Sequence, residues 1–514
     1  MSSRPWWRSA VVYQIYPRSF ADSESGSEEG VGDLEGIRRH LDHLVWLGVD
    51  AVWLSPFYRS PMADFGYDVS DHCDVDPLFG SLADFDRLLD EAHERGLRVI
   101  VDWVANHTSD RHPWFLDARS SPDSEHRHWY VWRDPAPGGG PPNNWRAAFG
   151  ADVPAWTFDE ASGQYYLHLF LPEQPDLDWN HPPVVEAMHG VLRFWLDRGV
   201  DGFRADAVHA IGKDRALLDD PPDSAGTPRS STNDDPATHG LLRDVRRLVD
   251  GYPGERVVVG EVYLLDTAKV AAYYGQGDEL HLAFNFPPLY TPWQVDAWRR
   301  RLDEVEGHLA PAGWPTWVLS NHDNPRPRTR YGSEARARAA AVLLLGLRGT
   351  PFLYAGDELG LEDAVVEPAR ALDPGGRDGC RAPLPWTAAP GHGWHAEPWL
   401  PWPPHSRQRN VETLRNDRTS ILHLYRRLLA ARRASPALVQ GDMEILPTGD
   451  GVLAWRRSDA ADVRVVAVNF TGDERSLTLP GGRWTVEVSS DGLEEGRRWL
   501  DRLGPDAAVV LRPS

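Results

Sequence analysis

Four short segments each carry an apolar run into an acid or an imidazole. They are Val99-Ile100-Val101-Asp102-Trp103-Val104-Ala105-Asn106-His107, Gly202-Phe203-Arg204-Ala205-Asp206, Val257-Val258-Val259-Gly260-Glu261 and Leu319-Ser320-Asn321-His322-Asp323. A single carboxylate after a strand is more often a helix N-cap. Four in order, separated by helical stretches, instead read as buried parallel strands that open into one site. Two carboxyl groups at the ends of consecutive strands, Asp206 and Glu261, suit glycoside hydrolysis. In its retaining form one carboxylate attacks the anomeric carbon while the other donates and then removes a proton, across about 5–5.5 Å. Arg204, two residues before Asp206, points to the same side of its strand and would keep Asp206 ionised. Glu261 must hold its proton, and the negative charge of Asp206 and Asp323 shifts it in that direction. His107, His322 and Asp68 complete the set as hydrogen-bond partners for sugar hydroxyls. His and Asp also build metal sites, but none of these candidates are paired at i, i+4 on a helix or as His-x-His.

The elements that must position these groups alternate along the chain. Strands are predicted at Val11–Tyr16, Ala51–Ser55, Arg98–Trp103, Gly202–Ala207, Val257–Val262, His281–Phe286, Thr316–Asn321 and Pro351–Ala355. Amphipathic spacing lies between most of them, as in Leu34, Ile37, Leu41, Leu44 and Leu47 and again over Phe85 to Glu94. Eight β-then-α units predict an α/β fold, a (β/α)8 TIM barrel, assigned to residues 1–107 and 179–434. Residues 108–178, rich in Trp, Pro, Gly and Asn, form an inserted subdomain after strand three. Asp214 to His239 and Gly360 to Asn410 are further long excursions of the kind that build a barrel's site. After a helix around Ile421 to Arg433 the pattern changes to short strands at Val452–Arg457, Val463–Phe470, Ser476–Leu479, Trp484–Ser489 and Ala507–Leu511. Residues 435–514 are therefore predicted to be an antiparallel β-sandwich.

With 514 residues, 41% hydrophobic and 25% charged, the chain is globular and long enough for several domains. Its net charge of −22 argues against nucleic acid or an anionic membrane as a partner, since both would repel it. Two cysteines, Cys73 and Cys380, make no disulfide framework. Met1 to Ala10 lacks the apolar core of a signal peptide, and no stretch is long enough to span a bilayer, so a cytoplasmic location is expected. The 23 tryptophans offer flat faces suited to sugar rings, although most serve packing.

At this point the chain resembles the α-amylase superfamily, glycoside hydrolase family 13, in its α-glucosidase and oligo-1,6-glucosidase branch. The resemblance runs almost end to end. It includes Val12-Tyr13-Gln14-Ile15-Tyr16-Pro17-Arg18-Ser19-Phe20, Gly48-Val49-Asp50-Ala51-Val52-Trp53-Leu54-Ser55-Pro56, Gly66-Tyr67-Asp68-Val69 and the four strand-end segments. Gln174-Pro175-Asp176-Leu177-Asp178 and Arg377-Asp378-Gly379-Cys380-Arg381-Ala382-Pro383-Leu384-Pro385-Trp386 extend it. The resemblance implies Asp206 as nucleophile, Glu261 as general acid/base and Asp323 as transition-state stabiliser. It implies Asp68, His107, Arg204, His322 and Arg381 around the deepest glucosyl ring, with Tyr67 and Phe170 as its aromatic walls. It also implies exo action on a small carbohydrate and no organic cofactor.

Two departures matter. Relatives often carry an alternating acidic Ca or Mg loop after the first strand. Here Asp22, Glu24 and Asp33 remain, but the pattern is broken and lengthened, whereas hard cations want six or more oxygens in register. No metal is therefore required by the sequence. The residue after the nucleophile is Ala207, where α-1,6-specific relatives tend to carry Val. The smaller side chain leaves room for a 4-linked ring, so α-1,4 linkages, as in maltose, are expected to be preferred. Two rival readings remain. One is a glucosyltransferase or a sucrose- or trehalose-acting enzyme on the same scaffold; the other is a non-catalytic binding protein, from which a catalytic carboxylate would be missing. Monomer and homodimer are equally compatible with the sequence.

Overall fold

Parallel strands surround the molecule's centre, and their connections carry the site. The computed structural model describes residues 5–23, 28–149, 152–221, 232–309, 313–479 and 482–514. The barrel strands are β1 (Val12–Ile15), β2 (Ala51–Leu54), β3 (Arg98–Val104), β4 (Gly202–Asp206), β5 (Val257–Gly260), β6 (Leu282–Ala283), β7 (Thr316–Val318) and β8 (Thr350–Tyr354). They pair in parallel in the order β6-β5-β4-β3-β2-β1-β8-β7. This is the TIM barrel that the repeated units predict. Valine-rich runs such as Val257–Val259 are buried throughout because helices cover the outside and side chains fill the inside. Gly202 opens β4 where β5 comes close: a Cβ there would sit 2.3 Å from the Val257 carbonyl oxygen.

Among the described residues no backbone ladder joins β6 to β7. The buried Thr316 hydroxyl spans the seam instead. It donates to the Ala283 carbonyl (2.6 Å) and accepts from Asn285 N–H (3.2 Å).

The helices follow local signals. Ser81 and Asp84 form a reciprocal capping box at the start of Leu82–Glu94. The apolar stripe from Leu34 to Leu47 is two helices, Leu34–Arg39 and Leu41–Leu47, because the His40 ring takes up the Gly36 carbonyl at 2.7 Å. Between β3 and β4 the chain adds the helix Pro113–Ser120 and a three-stranded antiparallel sheet of Trp132–Arg133, Gln164–Leu167 and Trp156–Asp159, with Gln164–Leu167 central. Lys213, one of two lysines in the chain, ties this excursion to the barrel. Its buried Nζ donates to Asn106 Oδ1 (2.8 Å) and the Ala210 carbonyl (2.9 Å) and pairs with Asp176 (3.1 Å).

The C-terminal segment is antiparallel, as expected. Its main sheet has five strands, in the order Asp442–Leu446, Val452–Asp459, Asp462–Asn469, Ala508–Pro513, Trp484–Ser489. One face packs on the barrel helices through Leu453, Trp455, Val466 and Val510. The other carries a separate core of Val452, Val465, Leu477 and Trp499. The predicted strand at 476–479 is reduced to Arg475–Ser476, paired with Arg502–Leu503. No described helix is long and apolar enough to cross a membrane.

Thr316→Val keeps the shape of the side chain but leaves the Ala283 carbonyl and Asn285 N–H without their partner. We expect a loss of about 1–3 kcal/mol in chemical denaturation with an unchanged m-value. An unchanged midpoint would show that the seam is held otherwise.

Candidate active site

The C-terminal ends of the strands open into a cavity of about 340 Å³, within the range of small-molecule sites. Asp206, Glu261 and Asp323 all face it, together with Tyr67, His107, Phe170 and Ala207. Asp206 closes β4, Glu261 follows β5 directly, and Asp323 lies just beyond β7. Loops after different strands thus bring together groups separated by up to 117 positions (323 − 206).

A single guanidinium organises the floor. Arg204 Nη1 donates to Asp102 Oδ1 (2.7 Å) and to Asp206 Oδ1, and Nη2 pairs with Glu261 Oε2 at 2.8 Å. Asp102 is itself held by Trp53 Nε1 at 2.8 Å. Glu261 Oε2 also accepts the Ala207 N–H at 3.0 Å. That geometry depends on Ala207 adopting a left-handed conformation (φ 44°, ψ 35°) directly after Asp206. Such a backbone is costly for a residue other than glycine and is found where a site over-determines it.

Three carboxyl groups on one cation cannot all ionise easily. Burial lifts Glu261 to about 8; Arg204 opposes this, and Asp206 and Asp323 add to it. The direction is the one expected from the sequence, and burial, rather than neighbouring charge, is the larger cause. Burial also lifts Asp206 to about 6 against the pull of Arg204, so Arg204 does not keep it in the ordinary carboxylate range. Asp323 differs. Burial would raise it, but His322, Arg377, Arg381 and Arg204 together hold it well below the usual range. Arg377 Nη1 and Arg381 Nη2 both reach Asp323 Oδ1, at 2.9 and 3.0 Å. Burial pulls His322 down to about 3. The neutral ring stacks flat on Tyr67 at 5.3 Å and takes a 2.7 Å hydrogen bond from Gln14 at Nδ1.

Several expected residues sit elsewhere than at the cavity wall. Asp68 is fully buried in its own loop, where it accepts from Ser60 Oγ (2.8 Å), Ala63 N–H (2.9 Å) and Asp64 N–H (3.0 Å). Asp64 faces the cavity in its place, paired with Arg377 and accepting from Gln174 at 3.1 Å. The backbone reverses around it, with positive φ at Met62 and Phe65, and no periodicity announces such a path. Arg381 stands behind Asp323, while Arg377, four residues earlier, lines the cavity. Arg204 and His322 form its base. His209 and Tyr263 also line it and have no sequence signal beyond their place shortly after the strand-end acids.

Of the loop acids, Asp33 N-caps the helix Leu34–Arg39 through Gly36 N–H (2.6 Å), and Asp22 accepts from His395 N–H (2.8 Å) and Ala396 N–H (3.2 Å). Glu24 lies outside the described residues. The oxygens of Asp22 and Asp33 are thus committed to backbone donors of different segments, which does not fit a shared hard-cation site.

A family model described as the α-amylase catalytic domain matches residues 14–441. The chain belongs to the α-amylase family. A probable α-glucosidase of Rhizobium meliloti (strain 1021) is 42% identical over 513 residues, covering 93% of this chain and 91% of that protein. An oligo-1,6-glucosidase of Parageobacillus thermoglucosidasius is 34% identical, covering 93% and 92%. The crystal structure of the α-glucosyl transfer enzyme XgtA superposes with a TM-score of 0.92 at 42% identity, covering all of both chains. The protein is therefore an α-amylase-family enzyme of the glucosidase and glucosyltransferase group, with a carbohydrate substrate.

The protonation pattern sets the pH dependence. With Asp206 in the nucleophile's role expected from the sequence, it must be ionised, so kcat/KM is expected to fall as pH drops through about 6, the value to which Asp206 is pushed. With Glu261 in the acid's role expected from the sequence, it must be protonated, so kcat/KM is expected to fall again as pH rises through about 8, the value for Glu261. The two limbs belong to the coupled pair. Glu261→Gln, assayed on an aryl α-glucoside whose leaving group needs no proton, should lose the alkaline limb. Persistence of that limb would assign it to another group.

Proposed function

We propose that this protein is a retaining, exo-acting α-glucosidase that hydrolyses terminal α-glucosidic bonds of maltose and short oligosaccharides through a covalent glucosyl-enzyme intermediate. The observation that carries this reading is the sharing of one guanidinium by Asp206 and Glu261, with the proton favoured on Glu261. Asp206 attacks the anomeric carbon as Glu261 protonates the departing oxygen. Glu261, now a carboxylate, takes a proton from water, which attacks the glucosyl carbon and frees Asp206. Asp323, kept ionised by Arg377 and Arg381, stabilises the positive charge that develops on the sugar ring. Side chains alone supply these steps, without an organic cofactor.

The deep end of the cavity supports the exo reading. Tyr67, stacked on His322, and the Asp64–Arg377–Asp323 ion chain are fixed parts of the cavity wall, and a wall tied together in this way suits a closed end for one terminal sugar. The same ion chain leaves Arg377 fully engaged, and Arg204 is shared among three carboxylates, so among the described residues of the cavity an anionic sugar finds no uncommitted cation. Trehalose 6-phosphate should therefore be a poor substrate beside maltose.

A second reading, transfer of glucose to an acceptor other than water, is favoured by the likeness to XgtA. Product analysis at high maltose concentration separates the two: oligosaccharides longer than the substrate indicate transfer, glucose alone hydrolysis.

Proton NMR of a fresh phenyl α-glucoside digest, whose leaving group is not itself glucose, should show α-glucose first. Early β-glucose would contradict the covalent intermediate. Ala207→Val should shift the maltose-to-isomaltose ratio of kcat/KM toward isomaltose by roughly 10–200-fold, the 1–3 kcal/mol that a methylene-scale change in a pocket commands. Because the test is a ratio, backbone strain at position 207 cancels. An unmoved ratio would separate linkage choice from this side chain.

A further inference from the structure

Two tyrosine rings stack on the imidazole of His322. Tyr67 lies 5.3 Å from it with the planes 3° apart, and Tyr16 lies 5.7 Å from it at 16°. The plane of the buried His322 ring is therefore fixed, and its two nitrogens meet different groups. Nδ1 is 2.7 Å from Gln14 Nε2, and Nε2 is 3.3 Å from Asp323 Oδ2. Gln14, on β1, is buried, and its Nε2 also donates to the Ser55 hydroxyl, just after β2, at 3.1 Å. Groups from β1, β2 and β7 thus form one line that ends at Asp323.

A neutral imidazole carries a single proton, on one nitrogen or on the other. Burial keeps His322 neutral. Asp323 works against this, and Arg381, Arg204 and Arg377 add to it. Asp323 then decides which nitrogen holds the proton. Its Oδ1 is taken by Arg377 and Arg381, while Oδ2 faces the ring. A bare Nε2 would set a lone pair against an ionised oxygen, whereas Nε2–H attracts it. At 3.3 Å the contact is electrostatic and not a closed hydrogen bond, so the sign of the charge on Nε2 matters more than its alignment. With the proton on Nε2, Nδ1 must accept, and the group opposite must donate. The Gln14 amide does so, one N–H going to Nδ1 and the other to Ser55. An ionised glutamate of the same shape could only accept.

We propose that Gln14 is a positioning residue: it fixes His322 as the Nε2–H tautomer and, through that ring, holds Asp323 Oδ2 in its working orientation. The inference rests on the part given to Asp323 in the glucosidase reading above. Gln14 itself does not line the cavity, so its effect reaches the sugar only by way of His322 and Asp323.

The tautomer is read by long-range proton–nitrogen NMR of enzyme carrying isotope-labelled histidine, with the His322 signals assigned by their loss in His322→Gln. The wild type should show Nε2–H throughout about pH 5 to 8, where an ordinary histidine titrates. Gln14→Glu should move the proton to Nδ1, or add one there. It should lower kcat on phenyl α-glucoside by about 100-fold, the cost of a misplaced group, with a much smaller change in KM. A cycle of Gln14→Leu, His322→Gln and the double variant separates positioning from general packing. The double variant should lose no more than His322→Gln alone, because Gln14 acts only through that ring. A wild-type proton on Nδ1, or losses that add in the double variant, would overturn the proposal. Should a Gln14 variant fail to fold, the wild-type spectrum still decides. A wild type without activity on phenyl α-glucoside refutes the glucosidase reading, whereas the hold of Gln14 on His322 is judged by the spectrum, recorded without substrate.

Discussion

The site depends on one cation serving three acids. Arg204 lies at the bottom of the barrel's open end with its Nη atoms spread over Asp102, Asp206 and Glu261. A guanidinium is suited to this because its donors are splayed in a rigid plane and it stays charged when buried. A lysine ammonium presents a compact point charge and would not bridge the same spread. By holding Asp206 and Glu261 on one rigid group, Arg204 sets their spacing. By being too little charge for all of its partners, it leaves room for one of them to keep a proton. Spacing and protonation of the two carboxyl groups thus have a common physical source. The cost is a buried charge cluster that is stable only when complete, and Trp53 and the left-handed turn at Ala207 complete it from the sides.

Much of this was legible in the chain because the barrel writes its chemistry next to its strands. A β-branched run is a strong signal, and in β4 and β5 the chemically active residue ends or directly follows it, so reading the strand reads the site. What escaped the sequence lies in irregular backbone. Asp64 and Asp68 are both acids in one loop, and only the reversal through Met62 and Phe65 decides that the first faces the cavity while the second caps turns. Arg377 and Arg381 differ in the same way across one turn of 3-10 helix. Asp442–Leu446 reads as a poor strand because it sits at a sheet edge with alternate residues exposed, and its ladder to Val452–Asp459 comes from the partner, not from its own composition.

The same division explains how the insertion after β3 serves the site. It contributes Phe149 and Phe170 to the cavity wall, yet it must be held by something stiffer than surface contact. Trp145 Nε1 and Asn144 reach across to Leu218, Asp219 and Asp220 of the excursion after β4, while Lys213 anchors the base. Two loops that are separately irregular become one wall by bonding to each other, which is how a barrel gains precision in segments with little secondary structure.

The Thr316 hydroxyl has a consequence for how this enzyme meets heat. Where neighbouring strands elsewhere share backbone bonds, β6 and β7 lean on side-chain hydroxyls, that of Thr316 and that of Tyr274, which bonds Ala283 and the Trp314 carbonyl before β7, so opening fluctuations have their least-resisted route along that line. Asp323 and Asn324 follow β7, and Tyr290, whose hydroxyl meets that of Tyr263 in the cavity lining, follows β6. Warming therefore acts first on Asp323 and the cavity mouth while Asp206, set between two full ladders, still stands in place. Catalysis in such a molecule fades at temperatures where most of its architecture survives.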